Sequence, residues 1–294
     1  MQKQVNANGK VCIVTGSNSG IGKATARGLA ELGATVVMAC RNQAQGVAVR
    51  DQLIAQTGNP AVDLLLCDLA AQPSIRCFVD DFRRKYSRLD VLINNAANFD
   101  LSLKKPALTE DGVEMIFATN HLGPFLMTNL LLETLKASAP ARIINVASKG
   151  LLTFPFLNIE FDNLNGEKKF SATHAYYHSK LAQVMFTYDL AQRLDGSGVA
   201  VNCIRVTNVK LDTGRYEYVP KLLRAMYAVK RSLAITPEAM AKTYIYLATS
   251  PEVGGVTGKY YDENRREVRS SGRSYDARVW ERLWQVSAQL THLT

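Results

Sequence analysis

Val11-Cys12-Ile13-Val14-Thr15-Gly16-Ser17-Asn18-Ser19-Gly20-Ile21-Gly22 decides how the rest of the chain reads. An apolar run ends in a glycine-rich turn, and beyond it Ile21, Thr25, Leu29 and Leu32 recur at helical spacing. Strand, tight turn and helix therefore follow one another. Glycine at 16, 20 and 22 lets the backbone turn sharply and approach a pyrophosphate, which the N–H groups at a helix N-terminus stabilise. Gly16, Ser17, Asn18, Ser19, Gly20, Ile21 and Gly22 are thus candidate contacts for a dinucleotide.

Working outward, strands are expected at Thr35–Ala39, Val62–Cys67, Leu89–Asn94, Arg142–Ala147 and Val199–Arg205. Helices are expected around Gln43–Gln56, Ser74–Tyr86, Phe117–Lys136 and Thr173–Leu194. Continuous apolar strands alternating with helices imply a parallel sheet covered on both faces, and right-handed crossovers make it a doubly wound α/β fold of the Rossmann type. No repeat or Pro/Gly-rich linker divides the chain, so it reads as a single domain. Its cofactor half covers about 9–140 and its catalytic and substrate half about 141–262, with 263–294 as a C-terminal extension. Residues 149–172 and 206–236 interrupt the alternation, and loops of that length in a compact domain are usually functional.

Composition narrows the class. Of 294 residues, 47% are hydrophobic and 21% charged, the balance of a soluble globule. No apolar run approaches the roughly 18 residues of a membrane span, and the polar N-terminus has no signal-peptide core. The expected location is cytoplasmic. Five cysteines at 12, 40, 67, 77 and 203 and four histidines show no metal-ligand spacing, so free thiols and no metal are expected. The net charge of +9 gathers at Arg215–Arg231 and Arg265–Arg282. No nucleic-acid motif accompanies it, which leaves a solvated basic surface as the first reading and attraction to anionic membrane surfaces as the second.

Tyr176 and Lys180 lie four apart on an expected helix and so share a face. A phenol loses its proton near pH ~10, and a drop of ~3 units needs ~4 kcal/mol of differential stabilisation. A neighbouring ammonium favours phenolate and moves tyrosine toward acid/base work near neutrality. Arg41 directly follows the second strand, where dinucleotide folds inspect the adenosine ribose; its charged fork suits a 2′-phosphate, which favours NADP(H) over NAD(H). Asp68 and Leu69, at the end of the third strand, are placed to receive the adenine edge.

Together, Thr15-Gly16-x-x-x-Gly20-Ile21-Gly22, Asn94-Asn95-Ala96, Asn120, Ser148 and Tyr176-x-x-x-Lys180 resemble the short-chain dehydrogenase/reductase family over about residues 9–262. Ala39-Cys40-Arg41, Asn120-His121-Leu122-Gly123, His178-Ser179-Lys180-Leu181-Ala182, Ala141–Val146 and Leu164-Asn165-Gly166-Glu167-Lys168 look closest to its retinol dehydrogenase-like branch. The resemblance implies Tyr176 as general acid/base and Lys180 as the group that lowers its pKa and binds the nicotinamide ribose. It also implies Ser148 as donor to the substrate oxygen, Asn120 as holder of a proton-relay water, and Asn95 and Ala96 as part of the cofactor site. Tyr177 is a rival to Tyr176 but lacks the i+4 lysine. Members often pair through the helices corresponding to Phe117–Lys136 and Thr173–Leu194, less uniformly in this branch, so a homodimer is a further expectation. The N-terminal anchor common among animal retinol dehydrogenases is expected to be absent.

Two departures stand out. Asn94-Asn95-Ala96-Ala97 replaces Asn-Asn-Ala-Gly. The Pro-Gly that follows the sixth strand in the family is replaced by Arg205-Val206-Thr207-Asn208, and the family's threonine falls at Leu211. That turn normally contacts the nicotinamide carboxamide; Thr207, Asn208 and Thr213 are the candidates to replace it. Downstream, Tyr216–Ile235 mixes apolar and basic residues, of which Leu222, Leu223, Met226, Tyr227 and Val229 suit an amphipathic helix; the resemblance implies a substrate lid there, whose Lys221, Arg224, Lys230 and Arg231 could touch a membrane surface. Val279, Trp280, Leu283, Trp284 and Val286 suit a terminal helix docked on its own domain or on a partner.

The expected activity is hydride transfer between NADP(H) and a carbonyl or alcohol of a small lipophilic substrate such as a retinoid or apolar aldehyde. A steroid, pigment-precursor or other cyclic-ketone reductase is an alternative on the same fold. A nucleotide-binding regulatory or scaffold protein with weak turnover is an alternative of another class.

Overall fold

The computed structural model describes residues 6–210 and 234–293. Among the described residues, seven parallel strands form one sheet in the order β3-β2-β1-β4-β5-β6-β7. They are β1 (Val11–Thr15), β2 (Thr35–Cys40), β3 (Val62–Leu66), β4 (Val91–Asn94), β5 (Ala141–Ser148), β6 (Val199–Val206) and β7 (Lys259–Tyr261). The chain winds outward from β1 to β3, returns to β4 beside β1, and winds the other way. The crevice at the carboxyl ends of β1 and β4 is therefore the topological switch point, where doubly wound folds bind ligands.

Alternation along each strand divides the core. Ile13, Leu92, Ile143 and Val201 face one layer, built by α3 (Gln72–Lys85), α5 (Gly123–Ala137) and α6 (Ala172–Arg193), and pack with Phe78, Phe82, Phe125 and Phe186. Cys12, Val14, Ile93, Ile144 and Ile204 face the other, built by α1 (Gly20–Glu31), α2 (Gln43–Thr57) and α7 (Pro237–Thr249), and pack with Leu29, Leu53 and Tyr244. The result is the single-domain Rossmann arrangement expected from the sequence.

The expected helix Phe117–Lys136 is not uniform. A short turn, α4 (Met115–Phe117), leads into a π-helical stretch at Ala118–Leu122 before α5 begins. Pro124 has no N–H to give the carbonyl four residues back, Asn120 O, and that carbonyl accepts instead from Gln183 Nε2 at 2.6 Å. The last helix, α8 (Ala277–Leu290), docks on its own domain. Trp284 meets Phe125 at 4.9 Å and Phe186 at 6.0 Å between ring centroids, and the Arg193 guanidinium lies 4.0 Å over its ring.

Candidate active site

The first turn is shaped by glycine. Gly16 (φ +65°) and Gly20 (φ +53°) take left-handed conformations that side chains disfavour. A Cβ at Gly22 would stand 2.3 Å from Gly16 O, whereas one at Gly20 would meet nothing within 4 Å. The loop is thus packed from below and open above. Thr15 Oγ1 accepts from Asn95 N and Ala96 N at 2.9 Å each, and Asn95 Nδ2 donates to Thr15 O at 2.8 Å, so these two residues brace the turn from β4. Ser17 turns its hydroxyl inward to Val14 O at 3.0 Å, and Asn18 Nδ2 reaches Gln45 Oε1 on α2 at 2.7 Å. Ser19 precedes α1 without a side-chain cap bond, and no acidic residue lies in the first turn. Such a helix start favours an anion. Ile21 packs onto the sheet layer beneath. These features fit a dinucleotide pyrophosphate. Gly22→Ala is expected to force the loop apart and raise the Kd for dinucleotide at least about tenfold by the cost of overpacking, read by fluorescence titration.

At the end of β2 the Arg41 side chain is 76% exposed, with Nη1 3.8 Å from Asp68 Oδ2, so the pairing leaves its fork largely uncommitted. Asp68 also accepts from Ala70 N at 2.9 Å. Leu69 is buried, and its carbonyl crowds Gly123, where a Cβ would come within 2.4 Å.

Beyond the switch point, α6 carries both Tyr176 and Lys180. Lys180 is buried; Nζ donates to Val146 O at 2.8 Å and lies 5.7 Å from the centre of the Tyr176 ring. Burial pushes this ammonium down from its ordinary 10.5 to about 8. Ser148 ends β5, and its oxygen accepts from Gly150 N at 3.2 Å. Asn120, freed from regular helix, donates to Asn98 O and to Ser179 Oγ at 3.0 Å each and accepts from Asn98 N at 2.6 Å. It thereby joins the segment after β4 to the residue preceding Lys180.

Tyr177 faces the other way. Its ring packs on Phe154 at 4.6 Å, and its hydroxyl fills the space where a Cβ on Gly150 would stand. His178 Nε2 accepts from Glu160 N at 2.9 Å, which requires a neutral ring, and burial pushes its pKa down to about 4. It ties the segment after β5 to α6. Sequence reading overlooked Phe99, which meets the Tyr176 ring edge-on at 4.4 Å and remains 42% exposed. Its position soon after Asn94-Asn95-Ala96 was the available signal. Leu152 and Phe156 are also exposed, on the segment following Ser148. Cys12, Cys40, Cys67 and Cys203 are buried free thiols and Cys77 is exposed. Among the described residues no cluster of His, Cys, Asp or Glu is suited to a metal ion.

The family model for short chain dehydrogenase matches residues 10–218. This chain belongs to the short-chain dehydrogenase family. It is 41% identical to human retinol dehydrogenase 14, over 97% of this chain and 87% of that one, and 41% identical to mouse retinol dehydrogenase 11, over 98% and 88%. It is retinol dehydrogenase-like. Among solved structures, a Mycobacterium paratuberculosis protein superposes with a TM-score of 0.72 at 29% identity, covering 98% of this chain and 96% of that one. A Pseudomonas aeruginosa RhlG/NADP complex gives 0.70 at 26%, covering 93% and 100%. As a short-chain dehydrogenase the chain is a nicotinamide-dependent oxidoreductase acting between alcohols and carbonyls.

Against that family background the β6 exit is the main local departure. Val206 pairs with Ser148 across the sheet, and Val209 bridges Ile235. Asn208, proposed from the sequence as a cofactor contact, is exposed and gives its carbonyl to Ile235 N at 3.0 Å. Leu211 and Thr213, and the expected lid with Lys221, Arg224, Lys230 and Arg231, lie outside the described residues. No helix among the described residues is long and apolar enough to cross a membrane.

Proposed function

We propose that this short-chain dehydrogenase uses NADP(H) and acts on lipophilic carbonyls and alcohols such as retinoids and apolar aldehydes. The carrying observation is a buried ammonium one helical turn from a tyrosine, Lys180 beside Tyr176. When bound, the cofactor supplies or accepts hydride at the substrate carbon. Tyr176 then gives the substrate oxygen its proton in reduction and takes it in oxidation. Lys180 has three N–H groups, of which Val146 O takes one; the others serve the ribose hydroxyls, while the positive charge favours phenolate. Ser148 uses its oxygen as acceptor from Gly150 N, so its own proton can be donated to the substrate oxygen as charge develops. Asn120 orders the approach to Lys180 through Ser179 and Asn98.

Support for NADP(H) comes from Arg41, exposed and loosely held at the end of β2. A charge-assisted hydrogen bond to phosphate contributes about 1.5–3 kcal/mol, so Arg41→Ala is expected to raise the KM for NADPH roughly 10- to 100-fold and leave that for NADH nearly unchanged. Phe99 against Tyr176, the exposed apolar Leu152 and Phe156 on the segment that follows Ser148, and the likeness to retinol dehydrogenases support a lipophilic substrate.

The test follows oxidation of NADPH and of NADH separately with retinal, medium-chain aldehydes and cyclic ketones. Turnover with NADPH and retinal or aldehydes supports the proposal, and faster turnover of the cyclic ketones moves the substrate to that class. Preference for NADH overturns the reading of Arg41. Tight NADPH binding without turnover favours a nucleotide-binding regulatory role.

A further inference from the structure

Charge gathers where this chain lacks Pro-Gly. Lys149, the residue after Ser148, places Nζ 2.6 Å from Glu263 Oε1. Arg205, just before the β6 exit, sets Nε 4.0 Å from Glu263 Oε2 and Nη2 4.0 Å from Asp262 Oδ2. The Glu263 carbonyl accepts from Thr243 Oγ1 on α7 at 2.9 Å. Asp262 Oδ1 accepts from Asn264 N at 2.8 Å and Arg266 N at 3.0 Å, closing the turn after β7. Side chains of Arg205 and Glu263 are only 12% and 15% exposed, so salt screens their attraction weakly. The Glu263 carboxylate therefore joins the turn after β7 to the ends of β5 and β6, while its backbone carbonyl ties the same turn to α7.

We propose that Glu263 is a positioning residue: through Lys149 it places Ser148, and through Arg205 it holds the β6 exit that Pro-Gly stiffens elsewhere in the family. Proline locks φ and lowers the freedom of the segment it occupies; Val206-Thr207 has no such restraint. Ionic ties from two directions remove that freedom by other means. Val206 pairs directly with Ser148, so a shift of the β6 exit is transmitted to the hydroxyl facing the substrate oxygen. Glu263 touches neither substrate nor cofactor in this role, which rests on the assignment of Ser148 in the proposed function.

The test compares wild type with Glu263→Gln, Glu263→Asp, Lys149→Met and the swapped pair Lys149→Glu/Glu263→Lys, using NADPH and the best aldehyde of the panel, with Tm measured on each. A misplacement of the order of 1 Å costs up to about 100-fold, so Glu263→Gln and Lys149→Met are each expected to lower kcat about tenfold. The KM for NADPH should change less than kcat, because the pyrophosphate and ribose contacts lie elsewhere and only the nicotinamide end meets the β6 exit. Glu263→Asp and the swapped pair should recover part of the loss, which a mere loss of packing would not show. Lys149 is 40% exposed, so Lys149→Met still decides the matter if Glu263→Gln fails to fold. A Lys149→Met enzyme with wild-type kcat, or a swapped pair no better than additive, overturns the proposal. A wild type that turns over no substrate overturns the proposed function and this role with it, an outcome distinct from variants that match an active wild type.

Discussion

Tyr176→Phe is expected to lower kcat by roughly 10²–10⁴-fold, the usual contribution of a positioned acid or base, while the Kd for NADPH stays nearly constant. Phenylalanine keeps the ring that packs edge-on against Phe99 and removes the hydroxyl alone. The loss should therefore fall on the chemical step rather than on packing or nucleotide binding. Tyr177→Phe provides the contrast, because that ring faces Gly150 and Phe154. A kcat that survives in Tyr176→Phe and collapses in Tyr177→Phe would exchange the roles of the two tyrosines. Steady-state kinetics with fluorescence titration of NADPH gives both numbers on the same samples.

Lys180→Met should abolish turnover and yet stabilise the protein without cofactor. Burial lowers the ammonium from 10.5 to about 8, and at about 1.4 kcal/mol per pH unit the folded chain carries roughly 3 kcal/mol against the charged form. The lost bond from the charged donor to Val146 O offsets at least about 1.5 kcal/mol of the relief, leaving Lys180→Met ahead by no more than about 1.5 kcal/mol at pH 7. Because the folded value lies below the unfolded one, the unfolded chain binds more protons between about pH 8 and 10.5. The wild-type penalty is thus full below pH 8 and fades as pH rises toward 10.5. Denaturant unfolding of both proteins across that window should show the gap closing. A gap that ignores pH across that window contradicts a buried charged lysine. Such a stabilised, inactive variant is the usual signature of a functional group held against the preference of the fold.

Much of the architecture was legible because its signals are local. Apolar runs at β1 to β6 and the glycine turn after β1 each announce themselves within a few residues. What escaped was short or remote. β7 has three residues, one of them Lys259, too few for periodicity to register. α7 opens on Pro237, which reads as the end of an excursion while also occupying the favoured first position of a helix. The π-helical stretch follows from the missing N–H of Pro124, but its purpose emerges only when Gln183 is seen to take the freed carbonyl. Tyr176 and Lys180 were readable because four residues on a helix fix a shared face. Glu263 was not, since its partner Lys149 lies 114 residues away and nothing local joins them.

Trp284 makes the C-terminal helix part of the core. Its indole covers Phe125 and Phe186, on α5 and α6. The C-terminal helix is secured further by His121 Nε2 against Ser287 Oγ at 2.8 Å. Without this helix the sides of Phe125 and Phe186 that now meet the indole would face water, so the tail completes the core it was expected merely to adjoin.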